Sequence, residues 1–372
     1  MHIGTHSWRL VPLDRLRYQR DNKFTNIMKL LLIILVALTS ILQCVAHPVF
    51  HMDEEEANDS LLNTLLTASS GGLIFGFASL DCSDDGQDWT AGPASELSSW
   101  SSVTYGNGLF VAVADFGTNR VMTSPNGINW TSRTAAENNF WRSVTFANGI
   151  FVSVTDSGTN RVMTSTDGIN WTPRTAAQAN NWSALTYGGG LFVAVATFGT
   201  NRIMTSADGI NWSPGSGGGS NNWRGVTYGN GTYVAVANVG SAYVMTSTNG
   251  SSWTARSAPS SSWRSVTYGN GLFVAVADSG ANRVMTSPDG INWTVRTPAE
   301  VNGWLSVYFS NGLFVALAQD GVNRVMTSTD GINWVAQAAP EANTWRSAVF
   351  ANGLFVAVAG DGTNRVMTSV CD

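Results

Sequence analysis

Short apolar and mixed segments follow one another along most of the chain and return at a fixed interval. In one copy, a mixed segment covers residues 100–105, and a segment at 109–114 is apolar throughout. An apolar run of this length is typical of a strand that is buried on both faces. No part of the repeated region has the 3.6-residue apolar period of an amphipathic helix. The pattern therefore predicts an all-β protein.

The interval is 41 residues, with one step of 40, and tryptophan marks it. A first tryptophan recurs seven times, at Trp100, Trp141, Trp182, Trp223, Trp263, Trp304 and Trp345. A second recurs at Trp89, Trp130, Trp171, Trp212, Trp253, Trp293 and Trp334. A fixed period in this range indicates stacked supersecondary units.

Each unit contains four predicted strands, a to d, which in the first copy are 100–105, 109–114, 120–124 and 128–133. Asn-Gly and Asp-Gly dipeptides between them are typical of tight hairpins. Seven antiparallel four-stranded units predict a seven-bladed β-propeller, with a β-solenoid as the alternative.

The two ends of the repeated region complete each other. The N-terminal end begins with a lone strand d (86–91), and the C-terminal end stops after strands a, b and c (345–369). Joined, they form one blade, which predicts a ring closed by both termini and free of open sheet edges. Closure would also bring Cys82 and Cys371 together, so we expect a disulfide, with two unrelated free thiols as the alternative.

The segments before the array differ in character. Residues 1–46 combine a basic extension with an apolar run over 30–46 that ends like a secretory signal, and an uncleaved signal anchor is the alternative. Residues 47–72 form an acidic, then Ser- and Gly-rich linker, and 73–372 form the propeller. The segment at 73–80 is apolar and either joins the closing blade or packs beside it. We expect a secreted protein, associated with a membrane only if the leader is retained.

The composition of the array excludes several classes of function. All four histidines precede residue 52, and both lysines precede residue 30. After residue 60 there are 14 arginines and 18 acidic residues, four more acidic than basic. Such a surface lacks the basic footprint of a nucleic-acid-binding protein. Without histidine, the array offers neither Ser-His-Asp catalysis nor a His/Cys metal site, and we expect no metal or other cofactor.

The turns between strands c and d repeat a short motif, as in Ser165-Thr166-Asp167-Gly168-Ile169-Asn170-Trp171. Its aspartates are Asp85, Asp167, Asp208, Asp289 and Asp330. The motif resembles a shortened Asp-box, the bacterial neuraminidase (BNR) repeat of sialidase-like propellers. The motif is expected to stabilise the turn, because its polar side chains accept hydrogen bonds from nearby N–H groups.

The resemblance implies a sialidase-like architecture but not its chemistry. In those enzymes three arginines clamp a carboxylate, a Tyr–Glu pair is the nucleophile, and an Asp is the acid/base. Here the four glutamates of the array, Glu96, Glu137, Glu300 and Glu341, occupy one repeated position, so none is a solitary partner for a tyrosine. We expect no catalytic residue and no enzyme activity.

A ring of binding pockets is expected where the d–a and b–c loops meet. The arginines of these pockets are Arg120, Arg161, Arg202, Arg283, Arg324 and Arg365, beside the seven first tryptophans. An aromatic face with convergent polar groups suits a sugar ring. In the structural interpretation, each arginine instead pairs with an aspartate of its own loop, and the tryptophans pack between blades.

We therefore expect a secreted, carbohydrate-binding or protein-binding propeller that recognises a glycan or a cell-surface protein through repeated loop pockets. One alternative is a sialidase-like glycoside hydrolase, and the other is an assembly or scaffold factor. A uniform channel mouth favours the binding protein, whereas one asymmetric acidic pocket favours the hydrolase.

Overall fold

A computed structural model of the protein describes residues 88–370, and this range contains strands and no helix. No described segment is therefore a helix that could cross a membrane. The first strands are β1 Thr90–Gly92, β2 Ser99–Gly106, β3 Leu109–Phe116, β4 Val121–Ser124, β5 Thr131–Arg133, β6 Trp141–Ala147, β7 Ile150–Thr155, β8 Val162–Ser165, β9 Thr172–Arg174, β10 Asn181–Gly188, β11 Leu191–Phe198, β12 Ile203–Ser206, β13 Ser213–Pro214 and β14 Asn222–Gly229. The others are β15 Thr232–Val239, β16 Val244–Ser247, β17 Thr254–Arg256, β18 Ser262–Gly269, β19 Leu272–Ser279, β20 Val284–Ser287, β21 Thr294–Arg296, β22 Trp304–Ser310, β23 Leu313–Ala318, β24 Val325–Ser328, β25 Val335–Gln337, β26 Trp345–Ala351, β27 Leu354–Ala359 and β28 Val366–Val370.

These strands form seven four-stranded antiparallel sheets, the blades. Blades 1 to 6 are β2–β5, β6–β9, β10–β13, β14–β17, β18–β21 and β22–β25, and blade 7 combines β26, β27 and β28 with β1. The innermost strand of each blade contacts that of the next, and β26 contacts β2. The predicted all-β, seven-bladed β-propeller is confirmed.

The ring is closed by the first and last described strands. Strand β1 pairs antiparallel with β28, with Thr90 opposite Thr368 and Gly92 opposite Val366. The predicted closing blade is thus observed, although its strand d begins at Thr90. Cys82, Cys371 and Asp85 lie outside the described residues, as do the predicted leader, the linker and the segment at 73–80, so the disulfide stays a prediction.

The core lies between neighbouring blades. Between blades 1 and 2, Trp141 and Phe151 pack with Val111 and Val113 of the preceding blade, and all four are fully buried. A large aromatic ring between two sheets removes much apolar surface from water. The recurrence of this arrangement explains why both faces of strand b are apolar.

Two kinds of turn share one face of the ring, here called the box face. The a–b turn has Asn107 at φ 49° and Gly108 at φ 75°, as a two-residue hairpin of the expected type requires. The c–d turn has positive φ only at its glycine, Gly127 at 76°. The predicted strand d was wrong at its start, because residues 128–130 belong to this longer turn. The d–a and b–c loops form the opposite, loop face.

Candidate functional site

The Asp-box turns are held by their own polar side chains. Asp167 Oδ1 accepts hydrogen bonds from the N–H groups of Ile169 and Asn170, both at 2.8 Å. Ser165 Oγ accepts from the Gly168 N–H at 2.8 Å, and Trp171 Nε1 donates to the Gly168 carbonyl. The Asn170 N–H is the largest cause of a lowered pKa at Asp167, and it outweighs burial, which acts in the opposite direction. Asp208, Asp289 and Asp330 make the same contacts.

The first tryptophans are inside the protein. All seven are 0% exposed, and Trp141 Nε1 donates to the Glu137 carbonyl of the preceding loop at 3.1 Å. A ring without exposed surface has no face to offer a sugar. Their interblade packing therefore gives no support to the predicted ligand contacts, which stay a prediction, at any of the seven positions: Trp100, Trp141, Trp182, Trp223, Trp263, Trp304 and Trp345.

The b–c loop arginines mostly bind the next blade. The Nη1 atoms of four of them donate to a carbonyl of the following d–a loop at 2.7–2.9 Å: Arg161, Arg202, Arg324 and Arg365. Arg120 and Arg283 make no such bond, and Arg283 Nε and Nη1 are buried without a partner. The structural interpretation predicted ion pairs between these arginines and the aspartates of their own loops. No such pair is present among the described residues. Four of them connect blades.

The repeated glutamates connect the two kinds of loop. Glu300 accepts hydrogen bonds from the side-chain amides of Asn302 and Asn323 and from the Asn323 N–H. The Asn323 side chain is the main cause of a lowered pKa at Glu300, and burial opposes it. The pKa values of Glu96, Glu137 and Glu341 are also lowered. A general acid needs the opposite shift.

A cavity of about 380 Å³ opens at the inner strands on the loop face and is here called the funnel. Its cations follow the first tryptophans in four of the blades: Arg142, Arg224, Arg264 and Arg346. Three aspartates at the ends of strands b pair with them. Arg142 contacts Asp115 at 2.5 Å and Asp156 at 2.7 Å, and Arg346 contacts Asp115 at 3.0 Å.

The funnel is asymmetric, and among residues 88–370 one of its arginines, Arg224, has no ion-pair partner. Arg264 pairs with Asp278 at 3.0 Å, but Arg224 Nε is buried without any hydrogen-bond acceptor. Burial is the main reason why the pKa of Arg224 is lowered to about 10, and repulsion from Arg264 and Arg142 adds to it. At neutral pH this guanidinium is still charged. The channel mouth is therefore neither uniform nor an acidic pocket.

Apolar side chains stand around the funnel on the loop face. Seven of them are 42–88% exposed: Leu97, Phe116, Phe140, Phe198, Val239, Val301 and Val322. Arg120 lies 5.4 Å from the centre of the Phe140 ring, and Arg202 lies 5.7 Å from that of Phe198, so cation–π contacts help to position both rings. The isoleucines of the box turns are at most 40% exposed. We call the seven residues the apolar rim.

Shallow grooves at the second tryptophans were missed by sequence reasoning. One groove of about 420 Å³ is lined by Trp334, Asn333 and Arg296, and another of about 620 Å³ by Trp293, Asn292 and Arg256. Both tryptophans are half-buried and thus keep part of a ring accessible. The repeated Asn-Trp dipeptide was the available signal, but the sequence does not distinguish the buried tryptophan from the accessible one.

Part of the chain matches a known family. The family model of the DUF6242 beta propeller domain matches residues 218–345, about a third of the sequence. The Asp-box resemblance finds no support in this match. A search of curated proteins gave no match.

Solved structures resemble the chain in fold. Virginiamycin B lyase from Staphylococcus aureus has 13% identity and a TM-score of 0.66, over 77% of this chain and 99% of the lyase chain. YCF48 from Cyanidioschyzon merolae has 15% identity and a TM-score of 0.56, over 76% of this chain and 98% of that one. A structure of YCF48 bound to D1 peptide has 17% identity and a TM-score of 0.58, over 76% and 94% of the respective chains.

Proposed function

We propose that this propeller is a secreted, non-enzymatic binding protein that takes a protein partner on its loop face. The observation that carries the proposal is the apolar rim. Val322 is 88% exposed and Phe116 is 68% exposed, on loops that surround a charged funnel. Exposed apolar groups gathered on one face are typical of protein interaction sites. Secretion rests on the leader-like sequence before residue 47.

A protein suits this face better than a glycan does. Sugar recognition at the loop face would need aromatic rings at the surface beside polar groups, but the first tryptophans are fully buried. The exposed groups are phenylalanine, valine and leucine, and most of the neighbouring arginines already donate to backbone carbonyls. The structure of YCF48 with a peptide gives a propeller of similar fold that binds a peptide chain. An assembly or scaffold role is one form of this proposal.

Glycan binding is the second candidate, at a different place. The grooves at Trp293 and Trp334 combine a half-buried ring with an asparagine and an arginine. Several weak copies on one molecule would give avidity toward a multivalent glycan. This candidate predicts binding at the second tryptophans, whereas the protein-binding proposal predicts it at the loop face.

A hydrolase is disfavoured by the state of the carboxylates. Glycoside hydrolysis needs one carboxylic acid that keeps its proton and a second, ionised carboxylate. Hydrogen bonds from asparagine lower the pKa of the Glu300 carboxyl, as they do for the glutamate at this position in three other blades. Asp115 and Asp156 accept bonds from Arg142, which holds them as structural partners of the funnel.

Site-resolved photo-crosslinking tests the proposal. A crosslinking amino acid replaces Phe116, Phe198 or Val322 on the loop face, and Ile169 or Ile332 on the box face, in protein exposed to its natural surroundings. We expect a discrete adduct from the loop-face positions alone, and the adduct formed from position 116 should be abolished by the double substitution Phe198→Glu and Val322→Glu. Val335→Glu, at a residue 60% exposed on an outer strand, is the matched control. Adducts only from the box face would overturn the proposal, and glycan capture lost on Trp334→Ala would favour the second candidate.

A further inference from the structure

A belt of serine hydroxyls joins the inner strands around the channel. The third residue of each inner strand, counted from the first tryptophan, is serine in five blades: Ser102, Ser143, Ser265, Ser306 and Ser347. In four of them Oγ accepts the N–H group of the next blade's fourth residue at 3.2 Å. Each of these N–H groups therefore points into the gap between its own blade and the preceding one.

The belt is interrupted in two adjacent blades. Blade 3 has Ala184 and blade 4 has Gly225 at the serine position. By the geometry of the other blades, the missing hydroxyls would have accepted the N–H groups of Val226 and Val266. Both valines and both replaced residues line the funnel. The interruption therefore leaves one backbone donor in each of two neighbouring interblade gaps without its serine acceptor. In the second gap Gly225 lies against the next blade, because a Cβ added there would come within 3.0 Å of the Ser265 Cα, so the gap between Ala184 and Val226 is the candidate for a ligand.

Arg224, which has no ion pair among the described residues, lies beside this interruption of the belt. Arg224 directly precedes Gly225, and its buried Nε has no hydrogen-bond acceptor. Asn238, at the end of the adjacent strand β15, has a buried Oδ1 without a donor. Blades 3 and 4 supply no aspartate here, because Thr197 and Asn238 replace it. A buried polar atom without a partner is rare enough in folded proteins to need an explanation.

We propose that the first gap of this interruption is a binding site for one oxyanion, a carboxylate or a phosphate, held by Arg224 and by the N–H group of Val226. A backbone donor beside a guanidinium is well suited to a planar or tetrahedral oxyanion. A hydroxyl or amide next to the anion would supply the donor for Asn238 Oδ1. The anion comes either from a small free acid or phosphate, or from an acidic side chain or chain end of a protein. The site stands on observations independent of the apolar rim.

Calorimetry and thermal unfolding with inorganic phosphate, acetate and a short acidic peptide test the site, at constant ionic strength set with chloride. We expect saturable binding and a raised Tm. Arg224→Leu should weaken binding about tenfold or more, because a charge-assisted donor is lost. Ala184→Ser should weaken it roughly threefold or more, because the new hydroxyl accepts the Val226 N–H and completes the belt.

Two variants serve as matched controls. Arg346→Leu removes a funnel arginine that is already paired with Asp115, so binding should change little. Ser143→Ala opens an equivalent gap at the Leu185 N–H, beside Ser183 instead of an arginine, so no new site should appear. Urea unfolding midpoints establish that each variant is folded.

The outcomes separate the possibilities. Tighter binding of the peptide than of phosphate and acetate would assign the anion to a protein partner, and equal or weaker binding to a small molecule. If wild type binds none of the three probes, or if Arg224→Leu and Ala184→Ser bind them as wild type does, the site is overturned. Neither result affects crosslinking from the apolar rim, so the two proposals fail separately.

Discussion

Each Asp-box aspartate stabilises its own turn, and a turn with asparagine at the same position allows a direct comparison. In blade 1, Asn126 occupies the aspartate position, and its Oδ1 still accepts from the N–H groups of Ile128 and Asn129. We expect Asp208→Asn to cost a few tenths of a kcal/mol, because only the bond from the Asn211 amide to Oδ2 is lost. Asp208→Ala should cost about 1 kcal/mol, since two backbone donors lose their acceptor. Urea unfolding at pH 7 measures both, and equal losses would contradict the argument.

The lowered pKa values of the same aspartates predict that the protein loses stability at low pH. Burial is the largest single influence on Asp330 and would raise its pKa, but the N–H groups of Asn333 and Ile332, with side-chain donors, together lower it to about 2. The pKa values of Asp167, Asp208 and Asp289 shift in the same direction. A carboxyl with a lowered pKa in the folded state binds a proton more readily when unfolded. The stabilisation is therefore complete above about pH 4 and is lost as the pH falls toward 2. Replacing all four by asparagine should flatten this fall, and an unchanged profile of unfolding midpoint against pH would refute it.

At the scale of strands and loops, the b–c loop arginines hold neighbouring blades together. Arg202 is buried, and its Nη1 donates to the carbonyls of Ser220 at 2.6 Å and Asn221 at 2.8 Å. Arg202→Met should cost about 1–3 kcal/mol, because two carbonyls of the next blade lose their donor. Arg283 is the matched control, since its Nε and Nη1 have no partner, and Arg283→Met should cost clearly less. Urea unfolding compares the two, and a larger loss at Arg283 would reverse the assignment.

Much of the element-level architecture was predictable from the sequence. Apolar strands b and the Asn-Gly turn at Asn107 depend on local patterns, and both appear as expected. The partners of the arginines were not predictable, because a residue such as Arg202 bonds to carbonyls that no side-chain code identifies. The funnel was harder still: Arg346 meets Asp115 across 231 positions in sequence, and only ring closure brings them together.

At the scale of the whole molecule, the pairing of β1 with β28 closes the ring of seven sheets. Strand β1 covers the edge of β28, and Trp89 packs 6.3 Å from Phe355 in the core of blade 7. A chain that begins at Ser98 would lose both. We expect its free energy of unfolding to fall by about 3–5 kcal/mol, the usual cost of removing a buried tryptophan. The uncovered edge should also promote self-association, measured by analytical ultracentrifugation. A stable monomer would show that closure contributes little.

A circular permutant separates the effect of closure from the effect of missing residues. Ser83 and Ser369 occupy the same position of the box motif, so fusing Thr368 to Ser83 restores an uninterrupted strand c, box turn and strand d in blade 7. New ends placed between Thr297 and Pro298, ahead of the Glu300 and Asn302 hydrogen bonds, then break the chain between blades 5 and 6. The ring itself stays closed, because blade 7 is now one continuous segment. If closure is set by strand pairing and not by where the chain starts, this permutant should unfold at the same urea concentration as wild type, while the chain beginning at Ser98 should not. Equal destabilisation of both would mean that the position of the termini, and not the β1–β28 pairing, determines the stability of the ring.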